Sequence, residues 1–180
     1  IEYACRQGYC GLCKIKLLSG EVTMDVDDSL TPLDRSSGVI LACPSNGADA
    51  ARMLRESVRL AREEQRVVVF LEPIALYPMR DLHDEKDGAW MRPYPAPNEV
   101  TPLGDVGVEG DGTDLAIVSF GNGYYLSRQA EARLAAKGVK ARVIDMRWLS
   151  PLPADALIAA VKGARNILIV DETRRSGGIA

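Results

Sequence analysis

Apolar positions along residues 113–180 fall in short continuous runs separated by amphipathic stretches. Leu115-Ala116-Ile117-Val118 forms the first run, within 114–120, and stops at Gly121-Asn122-Gly123. Residues 124–137 repeat Leu126, Ala130, Leu134 and Ala135 on one side, with Gly138 placed as a C-terminal cap. Residues 139–148 contain the next strand, Pro151 and Pro153 mark a turn, 154–164 reads as a helix, and 167–170 as a third strand stopping at Asp171-Glu172. Strand alternating with helix predicts a parallel sheet with right-handed crossovers, here three strands and two helices.

Upstream, Ala51, Leu54, Val58 and Ala61 recur at three- and four-residue steps, with Arg52, Arg55, Glu56, Arg59, Arg62 and Glu63 elsewhere around the helix. Asp49 stands at its start. Val67-Val68-Val69-Phe70-Leu71, bounded by Arg66 and Glu72-Pro73, reads as a fully buried parallel strand. Residues 73–112 carry Pro73, Pro78, Pro93, Pro95, Pro97 and Pro102, show no periodicity, and read as an interdomain linker. Trp90 and Tyr94 are its candidates for pinning it to a domain or a partner subunit.

The first 43 residues follow another pattern. Ile15 and Leu17 alternate with Lys14 and Lys16, Ser19-Gly20 marks a turn, and Val22 and Met24 begin a return strand. Residues 25–34 are an acidic connection, read as a solvated loop. The cysteines are the informative feature: Cys5-x4-Cys10-x2-Cys13, then a long gap to Cys43. Gly8 and Gly11 permit a tight loop around three converging thiolates, with the fourth returning from far along the chain. This is the plant-type two-iron spacing. Reduced thiols are the bland alternative, and a zinc site is a weaker one.

Composition narrows the field. With 47% apolar residues and a net charge of −3, the chain has an ordinary globular balance and no basic patch for nucleic acid. Its apolar runs are too short to span a bilayer, and no leader precedes Cys5, so a cytoplasmic protein is expected. The single histidine, His83, has no partner histidine and reads as a surface residue rather than a proton shuttle or ligand. Gly121-Asn122-Gly123 is only Gly-x-Gly, so it reads as a strand-to-helix turn rather than a nucleotide-phosphate loop.

Two resemblances follow from these residues. Ala4-Cys5-Arg6-Gln7-Gly8-Tyr9-Cys10-Gly11-Leu12-Cys13 with Gly38-Val39-Ile40-Leu41-Ala42-Cys43 resembles the cluster-binding part of a plant-type [2Fe–2S] ferredoxin domain. The resemblance implies a [2Fe–2S] cluster on Cys5, Cys10, Cys13 and Cys43. Cys5 and Cys10 would hold one iron, Cys13 and Cys43 would sit around the other, and a redox partner is implied. The leading β-hairpin and helix and the closing strand of such a β-grasp domain are not in this segment.

The second resemblance rests on Asp114-Leu115-Ala116-Ile117-Val118-Ser119-Phe120-Gly121, on Val143-Ile144-Asp145-Met146-Arg147-Trp148-Leu149-Ser150-Pro151-Leu152, and on Ile169-Val170-Asp171-Glu172 with Gly177-Gly178. These are similar to the transketolase C-terminal domain, in the form found in the beta subunit of thiamine-diphosphate-dependent 2-oxo acid dehydrogenases. Pro44-Ser45, the helix after it and residues 67–72 are similar to the end of that subunit's pyrimidine-binding domain. The resemblance implies association with an alpha subunit and an acyltransferase core. In that family the catalytic glutamate lies early in the pyrimidine-binding domain and the magnesium–diphosphate site on the partner subunit. Thiamine diphosphate and magnesium are therefore expected only in the complete parent assembly, and no catalytic residue carries over. Glu72 and Glu172 read as strand-end carboxylates with interface or structural roles.

The expected architecture is thus α/β: a partial parallel-sheet domain like the transketolase C-terminal domain, preceded by an incomplete β-grasp ferredoxin-like segment. The boundaries are 1–43 for the cluster-binding segment, 44–72 for the end of a pyrimidine-binding domain, 73–112 for the linker and 113–180 for the last domain, which stops before its expected final elements. The stretch 38–43 could suit either parent. The expectation is a chain inactive alone. Two rivals stand beside it: a purposeful fusion passing electrons from 2-oxo acid oxidation through a [2Fe–2S] cluster, and a noncatalytic subunit-binding module.

Overall fold

A computed structural model describes residues 39–171 and residue 173. The chain builds two sheets. The larger contains β3 (Gly107–Glu109), β4 (Leu115–Ser119), β5 (Ala141–Asp145) and β7 (Asn166–Ile169), in the order β3-β5-β4-β7. The smaller contains β1 (Val39–Ala42), β2 (Val67–Phe70) and β6 (Trp148–Ser150), in the order β2-β1-β6.

The parallel alternation expected over 113–180 is present. β4 pairs in parallel with β5 and with β7, Ile117 lying opposite Val143 and Leu168. Helices α2 (Gly121–Ala135) and α3 (Ala154–Val161) make the two crossovers. Alternate residues of the strands face opposite ways. Ile117 and Val143 join Leu76, Leu82, Trp90, Tyr124 and Ala141 in one buried cluster. Ala116, Val118 and Ile144 join Phe120, Met146 and Cys43 in another, under Leu157, Ala160 and Val161 of α3. Both faces of the sheet are covered, which is what a parallel sheet requires.

Residues 73–112 depart from a linker. A 3-10 turn (Ile74–Leu76) and β3 lie within them, and β3 adds an antiparallel edge to β5. Leu76, Leu82 and Trp90 enter the core, and Trp90 meets the Tyr125 ring edge-on at 4.9 Å. Two carboxylates replace regular hydrogen bonding in this stretch. Asp87 accepts from the amides of Leu82, His83, Asp84 and Ala89, and Asp81 from those of Lys86 and Gly88. These amides, Ala89 first, hold the Asp87 carboxyl well below the usual carboxylate range. Tyr94 is exposed, with the Arg55 guanidinium 5.5 Å from its ring centre.

The helix α1 (Gly47–Glu63) forms where expected, but its buried side is rotated. Met53, Ser57 and Leu60 face inward together with Asp49 and Glu56, whereas Leu54 and Val58 are exposed. The reason is charge pairing. Arg59 bonds Glu56 through both carboxylate oxygens, at 2.7 and 2.8 Å, which lets an acidic residue occupy an inward position and keeps its pKa low. Met53 and Leu60 pack with Ile40, Ala42 and Trp148 over the smaller sheet. The strand β2 is parallel to β1 as expected, but it is an edge strand with Val69 exposed, not a fully buried one.

Gly112 marks a close approach of backbones. A Cβ there would overlap the Lys140–Ala141 peptide, which cannot swing aside as a side chain can. Gly112→Ala is expected to destabilise the chain by about 1–3 kcal/mol, the usual range for overpacking. An unchanged urea midpoint would show that the 110–114 turn yields.

Candidate functional site

The chain passes from the larger sheet into the smaller one at a single residue. After β5 the chain turns at Arg147, whose φ of +55° is a left-handed conformation that costs a non-glycine residue energy. The turn carries the chain from the larger sheet into the smaller one as β6. The Arg147 carbonyl accepts from the Cys43 amide at 2.7 Å. Its guanidinium donates to Asp49 through Nε and Nη2, both at 3.2 Å, and to Asp105 through Nη1 at 3.1 Å. Gly107 leaves room for it: a Cβ there would stand 3.1 Å from Cζ.

Asp49 is held from its own side as well. Asn46 caps α1 by accepting from the Asp49 amide at 3.0 Å, and its Nδ2 donates to Asp49 Oδ2 at 2.9 Å. The Arg147–Asp49 pair therefore fastens the N-terminus of α1 to the β5–β6 turn.

A second set of polar groups lies behind this pair. Ser45 Oγ donates to Asp145 Oδ1 at 2.8 Å and accepts from the Gly121 amide at 2.9 Å. Asp145 is buried, and its Oδ2 has no hydrogen-bond partner. Burial pushes its pKa up to about 7, against the opposing pull of Ser45 and Arg147, while Asp49 nearby pushes the same way as burial.

In front of the pair opens a cavity of about 270 Å³ lined by Asn46, Asp49, Arg52, Arg92, Tyr124 and Arg147, among others. Its arginines are engaged: Arg52 with Glu99 at 2.6 Å and Arg92 with Glu109 at 3.4 Å. Burial, then the charge of Asp145, raises the Tyr124 hydroxyl to about 12, so it stays protonated at neutral pH. Among the described residues no three His, Cys, Asp or Glu side chains converge to hold a metal ion.

The cysteines divide. Cys5, Cys10 and Cys13 lie outside the described residues, as does Glu172. Cys43 is 4% exposed, directly after β1, packed among Ala116, Val118, Phe120, Ile144 and Met146. Its Sγ lies 3.4 Å from where a Cβ on Gly121 would stand.

Gly121-Asn122-Gly123 opens α2. Gly121 takes φ +51° and Gly123 presses on Ser119 so closely that a Cβ would overlap its hydroxyl. Both glycines are thus accounted for by packing, and the Gly121 amide is spent on Ser45. His83 is exposed, and Glu72 is an exposed acceptor for the Tyr77 hydroxyl. In the sequence Ser45, Asp145 and Arg147 stand only within longer stretches. Their one local signal was an aspartate and an arginine interrupting an apolar run at a strand end. No helix among the described residues is long and apolar enough to cross a membrane.

Comparison with known proteins follows the same division of the chain. Residues 104–180 match the family "Transketolase, C-terminal domain", and residues 1–46 match the family "2Fe-2S iron-sulfur cluster binding domain". The chain is 32% identical over 154 residues to the pyruvate dehydrogenase E1 component subunit beta of Bacillus subtilis, covering 85% of this chain and 43% of that protein. It is 30% identical over 152 residues to the acetoin:2,6-dichlorophenolindophenol oxidoreductase subunit beta of Cupriavidus necator, covering 84% and 40%. The chain therefore spans about two fifths of the length of these relatives. Among solved structures, an inactive beta4 tetramer of a split-gene transketolase superposes with a TM-score of 0.56 at 23% identity, covering 80% of this chain and 42% of that one. That likeness is one of fold.

Proposed function

We propose that the part of this chain from β1 onward serves subunit association in a 2-oxo acid dehydrogenase of the thiamine-diphosphate-dependent class. The chain carries it joined to a [2Fe–2S] segment, and alone it turns over no 2-oxo acid. The observation that carries the reading is the outer edge of the larger sheet. Ile167, Leu168 and Ile169 of β7 are each roughly half exposed, with Leu152 and Ile158 exposed on the segment before them. Apolar surface concentrated on a sheet edge marks a place where further polypeptide packs, and we read that polypeptide as a partner subunit. The relatives are named as beta subunits, which fits a chain made to be covered. The polar groups at the junction are engaged with one another, as befits a structural joint.

The match of one chain to two families favours a second reading, in which the cluster accepts electrons from 2-oxo acid oxidation. One assay separates the two. The purified chain is given pyruvate or branched 2-oxo acids with thiamine diphosphate, magnesium and a dye acceptor, and its mass in solution is measured by light scattering. The expected result is no dye reduction above a no-protein control, with a mass above that of one chain. Reduction that persists through repurification would overturn the first reading in favour of the second. A strictly monomeric mass at tens of micromolar would remove the association reading.

A further inference from the structure

Among the described residues β2 has a strand neighbour on one side only, β1. Its sequence carries none of the devices that keep an edge from pairing. Residues 67–71 are Val-Val-Val-Phe-Leu, with no charge, proline or glycine among them. The other short edges differ: β3 ends in Glu109, which Arg92 and Arg128 meet, and β6 runs straight into Pro151. Val69 and Leu71 are 41% and 40% exposed. We propose that β2 pairs antiparallel with β2 of a second copy of this chain, joining the two smaller sheets across a two-fold axis at Val69. The proposal concerns the smaller sheet and does not rest on the reading of β7.

The backbone and the flanking charges select the same register. The Leu71 amide donates to the Ala42 carbonyl, and in the parallel ladder Val69 lies opposite Leu41. The N–H and C=O of alternate residues face the same side of a strand, so Val67, Val69 and Leu71 bond toward β1, and Val68 and Phe70 present theirs to the outer edge. An antiparallel neighbour must set its own outward-facing residues against these. Val68 opposite Phe70 of the second copy satisfies this, and Val69 then meets Val69 of the second copy in a non-hydrogen-bonded position. In that register Arg66 lies opposite Glu72 of the second copy, and the symmetry repeats the match on the other side of the axis. Opposite charges across a strand pair stabilise it and like charges oppose it. A slip of two residues either way keeps the backbone match and loses the charge match.

The end charges choose the register rather than supply the burial. Arg66 is engaged within its own chain, and Glu72 accepts from the Tyr77 hydroxyl. Burial comes from the apolar residues. Val68 and Phe70 pack with Met53 and Leu60 of α1, so Val67, Val69 and Leu71 lie on the other face. There Val69 would cover Val69 of the second copy, and Leu71 would cover Val67.

Cysteine cross-linking of the full chain tests the inference. The Cα atoms of a non-hydrogen-bonded pair stand about 4.5 Å apart, within the roughly 4.4–6.8 Å that a disulfide spans. Val69→Cys, oxidised at tens of micromolar and mapped by mass, is expected to join two chains through position 69 of each. Val67→Cys is expected not to join to itself, because its counterpart is position 71, and to join Leu71→Cys when the two are mixed. If Val69→Cys does not fold, that mixed pair decides. In the Val69→Cys chain, Arg66→Glu is expected to slow the join by about tenfold, and Glu72→Arg added to it to restore the rate. Leu168→Lys in β7 is expected to leave the join in place, and its loss there would assign the contact to β7 and overturn the proposal. A folded Val69→Cys chain that stays unjoined also overturns it, as does Val67→Cys joining to itself equally fast. A disulfide from position 69 to Cys5, Cys10 or Cys13 of the same chain would put the chain's own first segment on this edge and overturn it too. A rate indifferent to both charge changes overturns the register and the proposal with it.

Discussion

Replacing Arg147 by alanine is expected to cost about 3–5 kcal/mol, the range found when one partner of a buried ion pair is removed. Asp49 is the reason. Its side chain is 6% exposed and accepts both nitrogens of the Arg147 fork. Without that fork, Asn46 and the more distant Arg52, at 3.6 Å, are left to balance a charge held out of water. Arg147→Lys is expected to recover only part of the loss, because an ammonium cannot reach Asp49 twice and Asp105 at once. The pairing itself is isolated by adding Asp49→Asn. The double variant is expected to lose clearly less than the two single losses combined, since the orphaned charge is gone. Urea unfolding at neutral pH measures all of these, and an Arg147→Ala chain within 1 kcal/mol of the parent would mean that Asp49 finds water or another cation.

The second large effect is a pH dependence set by Asp145. Its folded pKa is about 7 against an ordinary value of 3.8. Between those values the folded chain keeps a proton that the unfolded chain has released. Stability therefore falls as pH rises from about 4 to about 7 and is flat in this term above that. A shift of this size corresponds to roughly 4 kcal/mol at most. The groups facing Asp145 are Ser45, Arg147, Asp49 and Tyr124. Asp145→Asn keeps an acceptor for Ser45 and removes the ionisation. It is expected to leave stability near pH 4 almost unchanged and to raise it at pH 8, flattening the profile. Melting temperatures across pH 4–8 for both chains provide the check. Parallel profiles would show that Asp145 does not titrate in this window.

The three parallel strands of the larger sheet could be read from the sequence because they are short, mostly apolar runs separated by helical stretches. Residues 73–112 could not, because Leu76, Leu82 and Trp90 enter the core singly, among prolines, with no period to announce them. The inward face of α1 was misread for an electrostatic reason. Pattern reading places charges outward, yet Asp49 and Glu56 are buried because Arg147 and Arg59 meet them. Of those partners only Arg59 is on the same helix. The joint itself was illegible for a related reason: Ser45 meets Asp145, and Asp49 meets Arg147, across about a hundred residues of chain, and no local pattern encodes such a meeting. Cys43 belongs to two patterns at once: its spacing from Cys10 and Cys13 is a cysteine motif, and it directly follows the buried strand Val39–Ala42.

The central place of β1 has a consequence for how the protein is made. Its partner β2 is synthesised soon after it, but β6 leaves the ribosome about a hundred residues later. At 5–20 residues per second that is a delay of roughly 5–20 s. Through that interval one side of Val39–Ala42 carries unsatisfied backbone groups and apolar side chains, with only β2 and α1 beside it. The nascent chain thus displays, early in its synthesis, a short apolar edge of the kind that chaperones cover. Pausing of translation between residues 70 and 148 would lengthen that exposure.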